Sequence, residues 1–180
     1  MRKFALFLFI GAALSGCHST PKKVYPHTDV FTWTNNGGSD TAKFFGFTAL
    51  FTATQSAKAQ HKNMLVVFSG WSLSTSNIEW KALSLYPDPD FIQKNFVIAW
   101  IAVDDRKELD KPYSTVFMNH TYNIRTYGNQ NNMLQMRLTK TNGSPTFCFL
   151  DTNLHQYGKV MRYTIDRSEV EAFIESGITR

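Results

Sequence analysis

Phe96-Val-Ile-Ala-Trp-Ile-Ala-Val103 is eight consecutive residues with no polar member. A strand with one solvated face alternates polar and apolar side chains, so an unbroken run of this length belongs to a strand covered on both faces. The run therefore predicts the centre of a sheet flanked by helices on either side. Met64-Leu-Val-Val-Phe68 and Thr146-Phe-Cys-Phe-Leu150 are shorter runs of the same kind, and Gln156 to Tyr163 follows the turn Asp151 to Leu154 as a partner strand.

The covering helices are predicted between these runs. Phe47, Leu50, Phe51 and Thr54 recur at helical spacing through Lys58. Ser76 and Glu79 have capping-box spacing at the head of Ser76 to Tyr86, with Ile78, Ala82 and Leu85 on one face and Pro87 as the stop. Asp88-Pro89 predicts a short helical turn. A last helix is expected from Asp166 to Ser176, capped by Asp166, with Val170, Phe173 and Ile174 inward and Gly177 ending it. Arg106 to Asn132 shows no clear period and reads as an ordered insertion or loop before a helix at Asn132 to Leu138.

Composition agrees with a packed domain. The chain of 180 residues is 43% hydrophobic and 14% aromatic, which excludes a disordered polypeptide. Its two cysteines, Cys17 and Cys148, cannot supply an intrachain dithiol if Cys17 is consumed otherwise. The net charge of +5 includes Arg2 and Lys3; without residues 1–16, which contain no acid, it is +3. A nucleic-acid footprint is not indicated. The five histidines show no paired ligand spacing, so no metal is expected, and no cofactor either.

The N-terminus carries an address. Met-Arg-Lys precedes the apolar stretch Phe4 to Leu14, too short to span a bilayer, and Ser15-Gly16-Cys17 follows. Leu14-Ser15-Gly16-Cys17 resembles the lipobox of bacterial lipoproteins, which implies cleavage before Cys17 and attachment of a diacylglycerol to its thiol. His18 in place of Asp implies, by the same resemblance, the outer membrane facing the periplasm over inner-membrane retention. The expected organisation is a signal peptide over 1–16, a lipidated N-terminus and tether over 17–44, and a domain over 45–180. The tether reading rests on the polar, proline-punctuated stretch from His18 to His27 and on Asn35-Asn-Gly-Gly38.

The element order β-α-β-α-β-β-α, preceded by a helix, gives an α/β fold with a mixed sheet and helices on both faces. Phe68-Ser-Gly-Trp71, Pro89 to Asn95, Val103 to Leu109, Ile124 to Asn129 and Ser144-Pro145-Thr-Phe are together similar to thioredoxin-like domains of DsbD-type thiol:disulfide interchange proteins. The resemblance covers about residues 45 to 180 and implies a thioredoxin-like fold, with Pro145 at the family's cis-proline position.

It withholds the family's chemistry. Dithiol exchange needs a thiolate of lowered pKa at a helix N-terminus and a second, resolving thiol. The family writes Trp-x-Cys-x-x-Cys; this chain has Trp71-Ser72-Leu73-Ser74-Thr75-Ser76, with Leu73 and Ser76 at the two thiol positions. Leucine does not ionise, and a serine hydroxyl cannot form a disulfide. The resemblance leaves a recognition surface, Trp71 to Ser76 with Ser144 and Pro145, expected to meet an extended peptide or an envelope protein partner. Trp71 is either a partner-contacting aromatic or a lid on the helix start, and Ser144-Pro145 either a binding loop or a turn. Trp80 and Trp100 read as core.

Other chemistries have candidate residues in the chain. An atypical thiol:disulfide oxidoreductase or disulfide-related chaperone could use Cys148, although a cysteine between Phe147 and Phe149 reads as core. Gly70-Trp-Ser-Leu-Ser74 sits where a nucleophile elbow would, with Asp151 and His155 as candidate triad partners. Asp104-Asp105 reads either as a cation site or as a solvated strand end or cap.

Overall fold

The computed structural model describes residues 30–34, 43–72 and 77–178. A six-stranded mixed sheet is built from β1 (Val30–Thr34), β2 (Lys43–Phe47), β3 (Asn63–Ser69), β4 (Phe96–Ala102), β7 (Thr146–Leu150) and β8 (Gln156–Arg162), in the order β1-β2-β4-β3-β7-β8. β5 (Glu108–Phe117) and β6 (His120–Thr126) form a separate two-stranded ribbon. β3 and β4 are parallel and central, while β7 and β8 run antiparallel beyond β3. All seven residues of β4 are buried, as its unbroken apolar run requires.

Successive side chains of the central strands serve two cores. Leu65, Val67, Ile98, Trp100, Phe147 and Phe149 point to one face, which is covered by α2 (Ile78–Leu83), α3 (Pro89–Asn95) and α5 (Arg167–Ile178). Met64, Val66, Phe68, Ala99, Ile101 and Cys148 point to the other, under α1 (Leu50–Gln60) and α4 (Tyr127–Thr139). This is a thioredoxin-like arrangement of a mixed sheet with helices on both faces, and the Ser144–Pro145 peptide bond is cis.

The structure departs from the sequence reading at identifiable points. The sheet already begins at Val30, inside the stretch read as tether: β1 pairs antiparallel with β2, placing Phe31 and Trp33 against Trp80. The segment 106–132 is not an irregular insertion. It forms the β5–β6 ribbon, turned at Met118 and Asn119, both with positive φ, and then the first turns of α4. Two positive-φ residues are what a tight hairpin needs, but Met-Asn is a weak signature for one. α4 starts at Tyr127 rather than Asn132 because Thr126 and Asn129 form a reciprocal capping box.

Three inward or terminal assignments also change. α1 buries Ala53, Thr54 and Ala57, and leaves Phe51 76% exposed. Glu79 does not reach back to the start of α2; it is fully buried and accepts the Trp100 indole N–H at 3.1 Å. Gly177 does not stop α5. It lies within the helix, where a Cβ would meet the Phe149 ring at 2.5 Å, so close packing explains it. α3 matches its expected signals, with Asp88 accepting the Phe91 N–H at 3.1 Å and Pro89 in the first turn.

Candidate functional site

Three chain segments meet at one end of the sheet. β3 and β4 finish there with Ser69 opposite Ala102, and β7 begins there with Thr146 opposite Phe68. Gly70-Trp71-Ser72, Val103-Asp104 and Ser144-Pro145 therefore emerge side by side, and the Val103 N–H bonds Ser69 O at 2.7 Å across the gap. In an α/β sheet, loops leaving the carboxyl ends of parallel strands lie over this edge.

Asp104 organises it. Its Oδ1 accepts the Trp71 N–H at 2.7 Å and its Oδ2 the Ser72 N–H at 3.0 Å. Both carboxylate oxygens are engaged by backbone, which makes Asp104 a clamp on the loop after β3. Gly70 permits the approach, since a Cβ there would come within 2.9 Å of Oδ2. Asp105 makes a different local bond, its Oδ1 accepting the Lys107 N–H at 2.9 Å. Of the two readings the sequence left for Asp104-Asp105, a cation site or a solvated strand end or cap, the structure gives Asp104 the second, as a cap on the loop after β3.

Trp71 is half-buried and meets Trp100 edge-on, with ring centroids 4.6 Å apart. It packs on the α2 face of the core while Ser72 is exposed. Trp100 and Trp80 are core residues, 4% exposed each. Beneath them, burial pushes the Glu79 carboxyl above the usual carboxylate range, opposed by its own backbone N–H and the Trp100 indole.

The Ser144-Pro145 loop is held from three directions. Gln135 of α4 donates to Gly143 O, Thr146 of β7 donates to the same oxygen, and Arg162 of β8 donates to Thr141. Pro145 is buried and Ser144 half-buried. Of the site residues read from sequence, the structure thus brings Trp71, Ser72, Ser144 and Pro145 to one sheet edge. Leu73, Ser74, Thr75, Ser76 and Cys17 lie outside the described residues.

The rival chemistries find no support in this geometry. Cys148 is fully buried on β7, in the core under α1 and α4, and burial pushes its thiol up to about 12. A thiol held neutral in a dry core is not a nucleophile. Asp151 and His155 approach each other at 3.5 Å, but in the turn after β7, at the opposite end of that strand from Pro145. Five strand residues separate the two ends by roughly 17 Å, too far for a triad with a serine near Trp71. No group of three or more potential metal ligands occurs among the described residues, and none of their helices is long and apolar enough to cross a membrane.

No protein-family profile matches the chain, and no curated protein matches it in sequence. Among solved structures it is similar to one titled DsbH oxidoreductase, at 14% identity and a TM-score of 0.46, over 73% of this chain and 83% of that one. A likeness of that size transfers no activity.

Proposed function

We propose that this is a lipid-anchored envelope protein whose thioredoxin-like domain recognises an extended peptide or a partner protein without dithiol catalysis. The anchor is the acylated Cys17, and the domain hangs from the outer membrane into the periplasm. The recognising surface is Trp71 to Ser76 together with Ser144 and Pro145.

The observation that carries this reading is the clamp by Asp104. It spends a carboxylate on ordering the backbone of Trp71 and Ser72, in a chain whose motif lacks both cysteines. Ordering a loop that performs no thiol chemistry is useful if its backbone and aromatic side chain are themselves the contact. Preorganisation lowers the entropic cost of binding an extended chain, whose main-chain groups can pair with a fixed edge while Trp71 and Leu73 supply apolar contact.

The test is selection of binding peptides from a random display library on the purified mature protein. Selected peptides should lose about tenfold in affinity, or roughly 1.4 kcal/mol, on Trp71→Ala and on Leu73→Ala, with folding checked by melting. Loss of binding only when the β5–β6 ribbon is shortened would move the site to the ribbon and overturn the reading. Reduction of a disulfide substrate by the wild-type protein above background would overturn it as well.

A further inference from the structure

A cavity of about 600 Å³ lies on the other face of the sheet, between the start of α1, the end of β4, the β5–β6 ribbon and α4. It is separate from the Trp71 surface. Trp71 packs on the core under α2, whereas this cavity is lined by Ile101 and Leu134 of the core under α1 and α4. Its volume is in the range of small-molecule sites.

The walls combine rings and cations. Phe51, Tyr113 and Tyr127 contribute aromatic side chains, and Lys107 and Arg137 contribute positive charge against the single acid Asp105. Both cations are placed by neighbours. The Lys107 ammonium sits 5.2 Å from the centroid of the Tyr127 ring, and an Arg137 guanidinium nitrogen donates to the Thr115 hydroxyl at 2.8 Å. Phe51 is 76% exposed on a helix that buries Ala53 and Ala57, and Tyr113 is 43% exposed on the ribbon. Leaving large rings in water on both lips of a cavity costs hydrophobic free energy that a bound apolar body would recover.

We infer that this cavity binds a small aromatic carboxylate, with the ring between Phe51 and Tyr113 and the carboxylate on Arg137 and Lys107. Guanidinium suits a planar carboxylate because it offers parallel N–H donors, and in a recess partly shielded from water the pairing is stronger than at an open surface. A neutral ring would keep the apolar contact and lose the charge. A phosphate or other compact anion would keep the charge and leave the rings wet.

The probe is naphthoate, with naphthamide as its neutral counterpart, measured by titration calorimetry on the mature protein and mapped by NMR shifts of the wild type. Naphthoate should bind saturably at one site, about tenfold or more tighter than naphthamide, and shift the resonances of Tyr127 and Met133. Arg137→Gln and Phe51→Ala, both at exposed positions, should each weaken it roughly fivefold to tenfold. Absence of saturable binding, equal affinity for acid and amide, or shifts confined to residues outside the cavity would overturn the inference. Binding that survives both substitutions unchanged would do the same. Peptide recognition at Trp71 can fail or succeed without altering any of these results.

Discussion

Asp104, two residues beyond the last pair of β3 with β4, accepts the backbone N–H of Trp71 at 2.7 Å and so ties the end of one central strand to the loop leaving its neighbour. With Ser72 as the second donor, the carboxylate satisfies two N–H groups that would otherwise need water. Asp104→Ala should therefore cost about 1–3 kcal/mol and speed hydrogen exchange of the Trp71 and Ser72 amides, with Asp104→Asn intermediate because it keeps one acceptor oxygen. Unchanged exchange at both amides would show that the clamp does not order the loop. Tryptophan fluorescence should also change, since Trp71 and Trp100 are in edge contact.

Glu79 predicts a pH dependence of stability. Its folded-state pKa is raised by burial, so the native state holds its proton to higher pH than the unfolded chain does. The sign follows from linkage: stability from this group is fully present below the unfolded value near 4.5, and is lost as pH rises through the folded value. Glu79→Gln removes the titration and keeps an acceptor for the Trp100 indole. Relative to Glu79→Gln, the wild type should lose stability as pH rises through this window, measured by urea unfolding at a series of pH values. Parallel curves for the two proteins would contradict the assignment.

Cys148 should be silent in the native state. Its thiol is fully buried and pushed up to about 12, so a water-soluble thiol reagent should react with it only after unfolding. The reaction rate should follow the unfolding equilibrium across a urea series. Cys148→Ser should destabilise by about 1–3 kcal/mol, because it buries a hydroxyl in an apolar setting. Fast labelling of the folded protein would reopen a redox role.

Cys17→Ala should abolish incorporation of labelled fatty acid and leave the chain unprocessed or released from membranes, since one thiol is the only attachment point the lipobox-like sequence offers. Labelling and membrane partitioning that persist in the variant would refute the anchor.

The elements legible in the sequence were those whose burial is complete or whose caps are common. Phe96 to Val103, Met64 to Phe68 and Thr146 to Leu150 are covered on both faces, so no periodicity had to be separated from noise. Asp88-Pro89 marked α3 by a frequent cap and a proline at N1. β1 and β2 were obscured because Asn35 to Gly38 reads equally as tether or turn, and β5 and β6 because ten mostly exposed strand residues carry little apolar pattern. Phe51 recurs at helical spacing with Leu50 and Thr54, but its hydrophobicity does not decide its burial: the small residues Ala53 and Ala57 let α1 lie close on β3 and β4 and leave Phe51 outward.

Local sequence, by its hydrophobic runs, caps and prolines, determined the α/β class, the central strands and the absence of a Cys-x-x-Cys pair from the motif. Those properties depend on residue type and near neighbours, which a single chain displays. Only tertiary structure decided that Asp104 clamps Trp71 across two strands, that Glu79 turns inward to Trp100 instead of capping its helix, and that Gly177 makes room for Phe149 rather than ending α5. Each joins residues from 21 to 33 positions apart, and Gly177 with Phe149 falls within that span. Contacts of that kind are selected by strand order and packing, which local propensity does not encode.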